Sequence, residues 1–139
     1  MKLHFIAADT AKAQTAKATL EKTYGTIAHD DADTIVILGG DGSMLDALHQ
    51  SVKQDDTRPI YGMNQGSLGF LLNPYKETDL LDDIAKATSV TIHPLKMEAT
   101  TQDGTVHEAV AFNEVSLMRE TRQAAQLEIS INETVRLEN

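Results

Sequence analysis

The sequence predicts an α/β protein: an open α/β domain over residues 1–88 and, over residues 89–139, the beginning of an antiparallel β domain. In the first part, strand-like and helix-like segments alternate along the chain, which is typical of an open α/β layer. In the second part the helical spacing stops, and short extended segments flank turn signals at Asp103-Gly104 and Asn132-Glu133. We expect this second domain to be truncated, because two or three strands alone leave unpaired edges that a longer chain or a partner chain would cover.

The first strand is predicted over Lys2–Ala8 and the first helix directly after it, over the segment DTAKAQTAKATLEKTYG. Asp9 or Thr10 can cap the start of this helix, and Gly25 can end it. Small and apolar side chains at helical spacing give the helix a modest buried face: Ala13, Ala16, Leu20 and Tyr24.

Two more strands and two more helices complete the first domain. Thr34–Gly40 is nearly all apolar and rich in β-branched residues, as expected for a strand covered on both faces of a parallel sheet. A helix is predicted from Gly42 over GSMLDALHQSV, and a third strand over Pro59–Asn64. Asn73-Pro74 is predicted to open a third helix, whose apolar side would hold Leu80, Leu81, Ile84 and Ala85.

Composition narrows the possible functions. The net charge is −9, which argues against a nucleic-acid or anionic-membrane partner but not against a phosphorylated small molecule. The absence of cysteine removes thiol and zinc-thiolate chemistry, and the five histidines lack the spacing of a metal site. No targeting segment and no apolar run of about 20 residues is present, so we expect a cytoplasmic protein.

The segment LGGDGSMLDA, Leu38–Ala47, joins the second strand to the second helix. Gly39 and Gly40 allow a tight turn close to a ligand, while Gly42 and Ser43 open a helix whose free N–H groups favour a phosphate. Asp41 could orient a hydroxyl that attacks this phosphate and accept its proton, or meet a bound magnesium ion. A plain strand-to-helix turn with an exposed aspartate explains the same residues without a ligand.

Two further stretches favour a nucleotide ligand. The segment YGMNQGSLGFLLN follows the third strand and places three glycines around Asn64, Ser67 and Phe70, as expected for a loop shaped around a ligand. The segment FNEV sets Asn113 beside Glu114 in an apolar extended run. Strand neighbours point to opposite faces, so one of the two should face inward and need a polar partner. The alternative is a solvent-facing pair at a strand end.

Together these stretches resemble the NAD kinase family. The resemblance rests on GGDGS at Gly39–Ser43, GMNQGSLGFL at Gly62–Leu71 and FNEVSL at Phe112–Leu117, in that order. It implies a Rossmann-like open α/β domain followed by a β-sandwich domain, with Asp41 as the catalytic acid–base residue. It also implies a phosphate loop of Gly39, Gly40 and Ser43, and NAD contacts from Asp41, Gly42, Asp46, Asn64, Phe70, Asn113 and Glu114.

The activity implied by the resemblance is transfer of a phosphate to the 2′-hydroxyl of the adenosine ribose of NAD, giving NADP. The donor would be ATP or polyphosphate, with a divalent cation such as Mg²⁺, in a homodimer or homotetramer. The family's Thr-Gly-Ser-Thr-Ala-Tyr-like segment is not found, so we expect these 139 residues alone to be a weak or inactive kinase. Some family members place a basic residue after the Asn-Glu motif, and in this sequence either Arg119 or Arg122 could take that position.

Two other classes of function remain open at the level of sequence. Diacylglycerol and sphingosine kinases and phosphofructokinases share the GGDG turn, so a lipid or sugar kinase is one alternative. A nucleotide-binding module without turnover is the other.

Overall fold

The computed structural model describes residues 1–67 and 69–138. A four-stranded parallel sheet has the order β1-β2-β3-β4. Within the described ranges, no helix is both long enough and apolar enough to cross a membrane. The strands are β1 (Leu3–Ala7), β2 (Thr34–Gly39), β3 (Ile60–Asn64) and β4 (Asn73–Pro74); the helices are α1 (Ala11–Tyr24), α2 (Asp41–Gln54) and α3 (Leu80–Lys86), with a 3-10 turn at His29–Asp31.

Helix α1 has the caps that the sequence predicts. The hydroxyl of Thr10, not the side chain of Asp9, accepts from the backbone N–H of Ala13 at 3.3 Å. Gly25 ends the helix with φ at 87°, a conformation that favours glycine. The buried residues Ala13, Ala16 and Leu20 face the sheet.

Strand β2 is buried at all six positions, which explains its unbroken apolar sequence. Val36 and Leu38 pack in the cluster that holds residues of α1 and α3, such as Leu20 and Leu80. Ile35 and Ile37 alternate with them and pack in a second cluster, to which Ala47 of α2 adds. The open α/β class predicted for this part of the chain is therefore confirmed.

The predicted start of the third helix is wrong. Asn73–Pro74 extends the sheet as β4 beside β3, and the helix begins only at Leu80. Proline lacks an N–H donor and is tolerated both at a helix start and on an edge strand, so the local sequence fits both positions. Of the other residues predicted on its apolar side, Ile84 packs against the core, whereas Leu81 and Ala85 are exposed.

Antiparallel hairpins follow, as the sequence predicts. Strand β5 (Leu95–Thr100) pairs with β6 (Val106–Ala111), and β7 (Glu128–Ile131) pairs with β8 (Thr134–Glu138). Each turn contains the predicted residues in the left-handed region: Gly104 at φ 85°, and Asn132 and Glu133 at 49° and 63°. The domain boundary near residue 89 remains a prediction.

Arg58 connects the segment that enters β3 to the 3-10 turn and forms an ion pair with Asp56. Arg58 contacts the Asp56 carboxylate at 2.6 Å, and also donates to the carbonyls of His29 and Ala32. The Asp56 side chain is only 13% exposed. The hydrogen bond from Arg58 is the main reason that the pKa of Asp56 falls from 3.8 to about 2.

Replacing Asp56 by Asn is expected to reduce the acid sensitivity of folding. Because the folded pKa of Asp56 is lowered, its stabilising contribution is present above pH 3.8 and is lost as pH falls through about 2. This contribution is about 2 kcal/mol at neutral pH, and urea unfolding at several pH values measures it. The control is Asp82→Asn, which changes an exposed carboxylate. Equal acid sensitivity in wild type and Asp56→Asn would contradict the assignment.

Candidate active site around Asp41

Asp41 lies where the carboxyl end of β2 meets the start of α2. Gly40 is the N-cap, and Asp41 is itself the first residue of the helix, one position before the predicted start. The first N–H groups of a helix have no partner within the helix, and they carry the positive end of its dipole. An anion is therefore favoured beside the Gly40–Gly42 backbone.

The Asp41 carboxylate holds the second glycine loop. The N–H of Phe70 donates to Oδ1 at 3.0 Å and to Oδ2 at 2.9 Å, and the N–H of Leu71 donates to Oδ1 at 3.0 Å. A Cβ on Gly69 would lie 3.3 Å from Oδ1 of Asp41 and 3.1 Å from Cδ1 of Leu72, so a larger residue would make these neighbours shift by a few tenths of an ångström. The fold therefore brings two of the three sequence motifs into direct contact.

The two adjacent glycines differ in their surroundings. A Cβ on Gly39 would lie 2.7 Å from the Cβ of Ser43 and 3.3 Å from that of Ala8, so these neighbours already occupy the space that a side chain would need. A Cβ on Gly40 or Gly42 would meet no atom within 4 Å. Gly39 therefore packs the turn, while Gly40 and Gly42 leave open backbone that a ligand could approach.

The loop after β3 folds back over the Gly-Gly turn. The N–H of Gln65 donates to the carbonyl of Gly39 at 2.7 Å, and Asn64 accepts from the N–H of Gly66 at 2.8 Å through Oδ1. Phe70, whose backbone N–H binds the Asp41 carboxylate, is 85% exposed, so its apolar ring is in solvent. Sequence reasoning did not single out Gln65, which is buried with its Nε2 unpaired among the described residues.

Asp46 lies on the second turn of α2, beside a groove. It lines a groove of about 220 Å³ between α2 and the sheet, together with Ser43, Ala47 and Ile37. Asp41 is not among the residues that line this groove. An NAD contact from Asp46 remains a prediction.

The expectation that Asn113 or Glu114 faces inward is wrong. Strand β6 ends at Ala111, opposite the first residue of β5, so the strand alternation does not continue into these two residues. Both side chains are exposed. Their predicted role as NAD contacts is a separate matter and remains a prediction.

His49 links α2 to the end of β6, a contact that sequence reasoning missed. Its Nδ1 is 2.8 Å from the carbonyl of Leu45, and its Nε2 is 3.2 Å from the carbonyl of Val110. The imidazole also packs edge-on against the Phe112 ring, with centroids 5.0 Å apart. No local motif marks His49, because Val110 and Phe112 are distant from it in the chain, Val110 by 61 residues.

The described residues do not fit a protein cage for a metal ion. Across residues 1–67 and 69–138, no group of three or more histidine or carboxylate side chains is placed to hold one. Mg²⁺ commonly binds through substrate phosphates with few protein ligands.

Comparison with known families decides the classification. The family model for the ATP-NAD kinase N-terminal domain matches residues 2–89, which is more than half of the chain. The chain belongs to the NAD kinase family. The matched range contains β1 to β4, α1 to α3 and both glycine loops.

Curated relatives extend the similarity beyond this range. The chain is 48% identical over 136 residues to an NAD kinase of Caulobacter vibrioides, covering 98% of this chain and 52% of the relative. It is 44% identical over 138 residues to an NAD kinase of Hyphomonas neptunium, covering 99% and 53%. It is 46% identical over 136 residues to one of Brucella suis, covering 98% and 52%. The chain thus spans about half the length of the NAD kinases that it matches.

Proposed function

We propose that this chain provides the acid–base residue and part of the NAD site of a cytoplasmic NAD kinase, which phosphorylates the 2′-hydroxyl of the adenosine ribose of NAD to give NADP. The observation that carries the proposal is the Asp41 carboxylate, fixed at a helix N-terminus by the amides of Phe70 and Leu71. Family membership supports NAD as acceptor and ATP as donor, and polyphosphate is an alternative donor.

The hydrogen bonds to Asp41 suggest which oxygen takes part in the reaction. Oδ1 accepts from two amides and Oδ2 from one, so Oδ2 has more capacity left to accept from a ribose hydroxyl. In the proposed step Oδ2 takes the proton of the 2′-hydroxyl as the ribose oxygen bonds to the γ-phosphorus. The bond from that phosphorus to the bridging oxygen of ATP breaks, and its electron pair leaves with ADP.

The surrounding residues have complementary proposed roles. The open backbone at Gly40 and Gly42 would receive phosphate oxygens at the start of α2, with Gly39 and Ser43 shaping the turn. The exposed ring of Phe70 would cover an apolar face of the nucleoside. Asn64 would hold the start of the loop after β3 by accepting the hydrogen bond from the N–H of Gly66. Asn113, Glu114 and Asp46 would contact the nucleoside. A divalent cation, when bound with the phosphates, would neutralise their charge.

Ligand-dependent stability of the chain tests this proposal. A ligand that binds only the folded state raises the midpoint of thermal unfolding, and a concentration of 100 times Kd adds about 2.7 kcal/mol. We expect NAD to raise the midpoint, while a diacylglycerol or a sugar phosphate does not. Stabilisation by a lipid or sugar phosphate without stabilisation by NAD would overturn the proposal in favour of another GGDG-type kinase.

Activity is expected to require more than these 139 residues, since the relatives are about twice as long. A binding-only module would bind NAD but form no NADP, even in the reading frame extended beyond Asn139. Substantial NADP formation by residues 1–139 alone would contradict the expected weak activity of this chain.

A further inference from the structure

His49 occupies a particular place on the helix that begins with Asp41. It lies eight residues after Asp41, roughly 12 Å along the helix axis at 1.5 Å per residue. Its ring reaches across to the carbonyl of Val110 and to the side chain of Phe112. Phe112 directly precedes Asn113 and Glu114, and Val110 lies two residues earlier; Asn113 and Glu114 are exposed and follow the end of β6.

The contact is specific in its hydrogen bonding. Both ring nitrogens of His49 face carbonyl oxygens, of Leu45 and of Val110, and a carbonyl can only accept. The bond to Val110 therefore needs a proton on Nε2 and the bond to Leu45 needs one on Nδ1, so a neutral imidazole, which carries a single N–H, makes one of the two bonds at a time. Leu45 lies one turn earlier in the same helix, so the Val110 bond is the one that joins separate elements. The edge-on packing on Phe112 adds a second point of contact.

We propose that His49 is a positioning residue for the Asn113–Glu114 segment, which it ties to the helix that carries Asp41. This inference rests on the proposed function, in which the segment contacts the nucleoside of NAD. Because α2 is rigid between its first residue and His49, the link sets the separation between the acid–base group and the segment. His49 itself need not touch the substrate.

Two variants separate the hydrogen bond from the bulk of the side chain. His49→Leu removes every side-chain donor and keeps an apolar branch as far as the positions of Nδ1 and Cδ2 of the ring. His49→Gln retains an N–H donor close to the position of Nε2 and can still donate to Val110. The matched control is His93→Leu, at an exposed histidine that lies before β5.

The link is measured first, in the 139-residue chain, by the amide resonances of residues 110–114. We expect His49→Leu to shift these resonances and His93→Leu to leave them near the wild-type positions. His49→Gln, which keeps the hydrogen bond but not the ring, should shift the amide of Ala111, next to the Val110 carbonyl, less than His49→Leu does. Kinetics then use the reading frame extended beyond Asn139. His49→Leu is expected to raise KM for NAD about three- to tenfold, the effect of losing one hydrogen bond, with kcat within about twofold. His49→Gln should restore KM to within about twofold of wild type.

The outcomes separate this inference from the proposed function. Unchanged amide resonances in His49→Leu would show that the link is absent and overturn the inference, whatever the activity. Shifted resonances with an unchanged KM for NAD would show a contact with no positioning role. A folded wild-type protein that neither binds NAD nor forms NADP would overturn the proposed function, and with it the assignment of His49 to an NAD-contacting segment, even if the resonances shift.

Discussion

Asp41→Asn is expected to lower kcat for NADP formation about 10²- to 10⁴-fold, the range that a positioned acid–base group contributes. Asn has the shape of Asp, and its Oδ1 can still accept from the amides of Phe70 and Leu71. Of the three hydrogen bonds, only the one from Phe70 to Oδ2 is lost, because the Nδ2 of Asn cannot accept. The glycine loop should therefore stay in place, and NAD affinity should change only a few-fold. What is lost is the oxygen that accepts the proton of the ribose hydroxyl.

Steady-state NADP formation in the reading frame extended beyond Asn139 measures this effect. The control is Asp82→Asn, which changes an exposed carboxylate of α3. Circular dichroism and urea unfolding confirm that the Asp41 variant remains folded. Activity within about tenfold of wild type in a folded Asp41→Asn protein would show that another group takes the proton.

Gly39→Ala is expected to destabilise the fold by about 2–3 kcal/mol, near the upper end of the range for overpacking. The new methyl group would lie 2.7 Å from the Cβ of Ser43 and 3.3 Å from that of Ala8. Rotation of the Ser43 side chain cannot relieve the closer contact, because its Cβ is fixed by the backbone of α2. Either the start of α2 or the end of β2 must move.

Gly40→Ala provides the matched comparison for stability. The added methyl group meets no atom within 4 Å, and alanine is a poorer N-cap than glycine by about 1 kcal/mol or less. Urea unfolding of both variants should therefore separate two adjacent positions in the same motif. Equal midpoints for Gly39→Ala and Gly40→Ala would contradict the packing described for this turn.

Local patterns in the sequence were sufficient for most elements of the fold. The apolar run at Thr34–Gly39 predicts a strand buried on both faces, and the two clusters on either side of the sheet confirm it. The hairpin turns at Gly104 and at Asn132 follow from residues that adopt positive φ. Each of these features depends on a few neighbouring residues, which is why sequence alone defines it.

Features that depend on distant parts of the chain were not predicted. Pro74 suits a helix start as well as an edge strand, and only pairing with β3 decides between them. Strand alternation predicted an inward side chain at Asn113 or Glu114, but β6 ends where β5 provides no further partner. The contact between His49 and Val110 was not predicted either, because the two residues are distant in the chain.

The candidate site was predictable in part. Sequence motifs and family resemblance identified Asp41 and the second glycine loop as separate features. The hydrogen bonds from the amides of Phe70 and Leu71 to Asp41 are main-chain contacts, so no side-chain pattern could indicate them. They require the loop after β3 to turn back over the end of β2, which only the folded sheet shows.

The most direct measurement is the formation of NADP from NAD and ATP by the reading frame extended beyond Asn139. The proposed function predicts a product phosphorylated at the 2′-position of the adenosine ribose, detected by its reduction with a dehydrogenase specific for NADP. A well-folded extended protein that forms no NADP, with ATP or with polyphosphate, would contradict it.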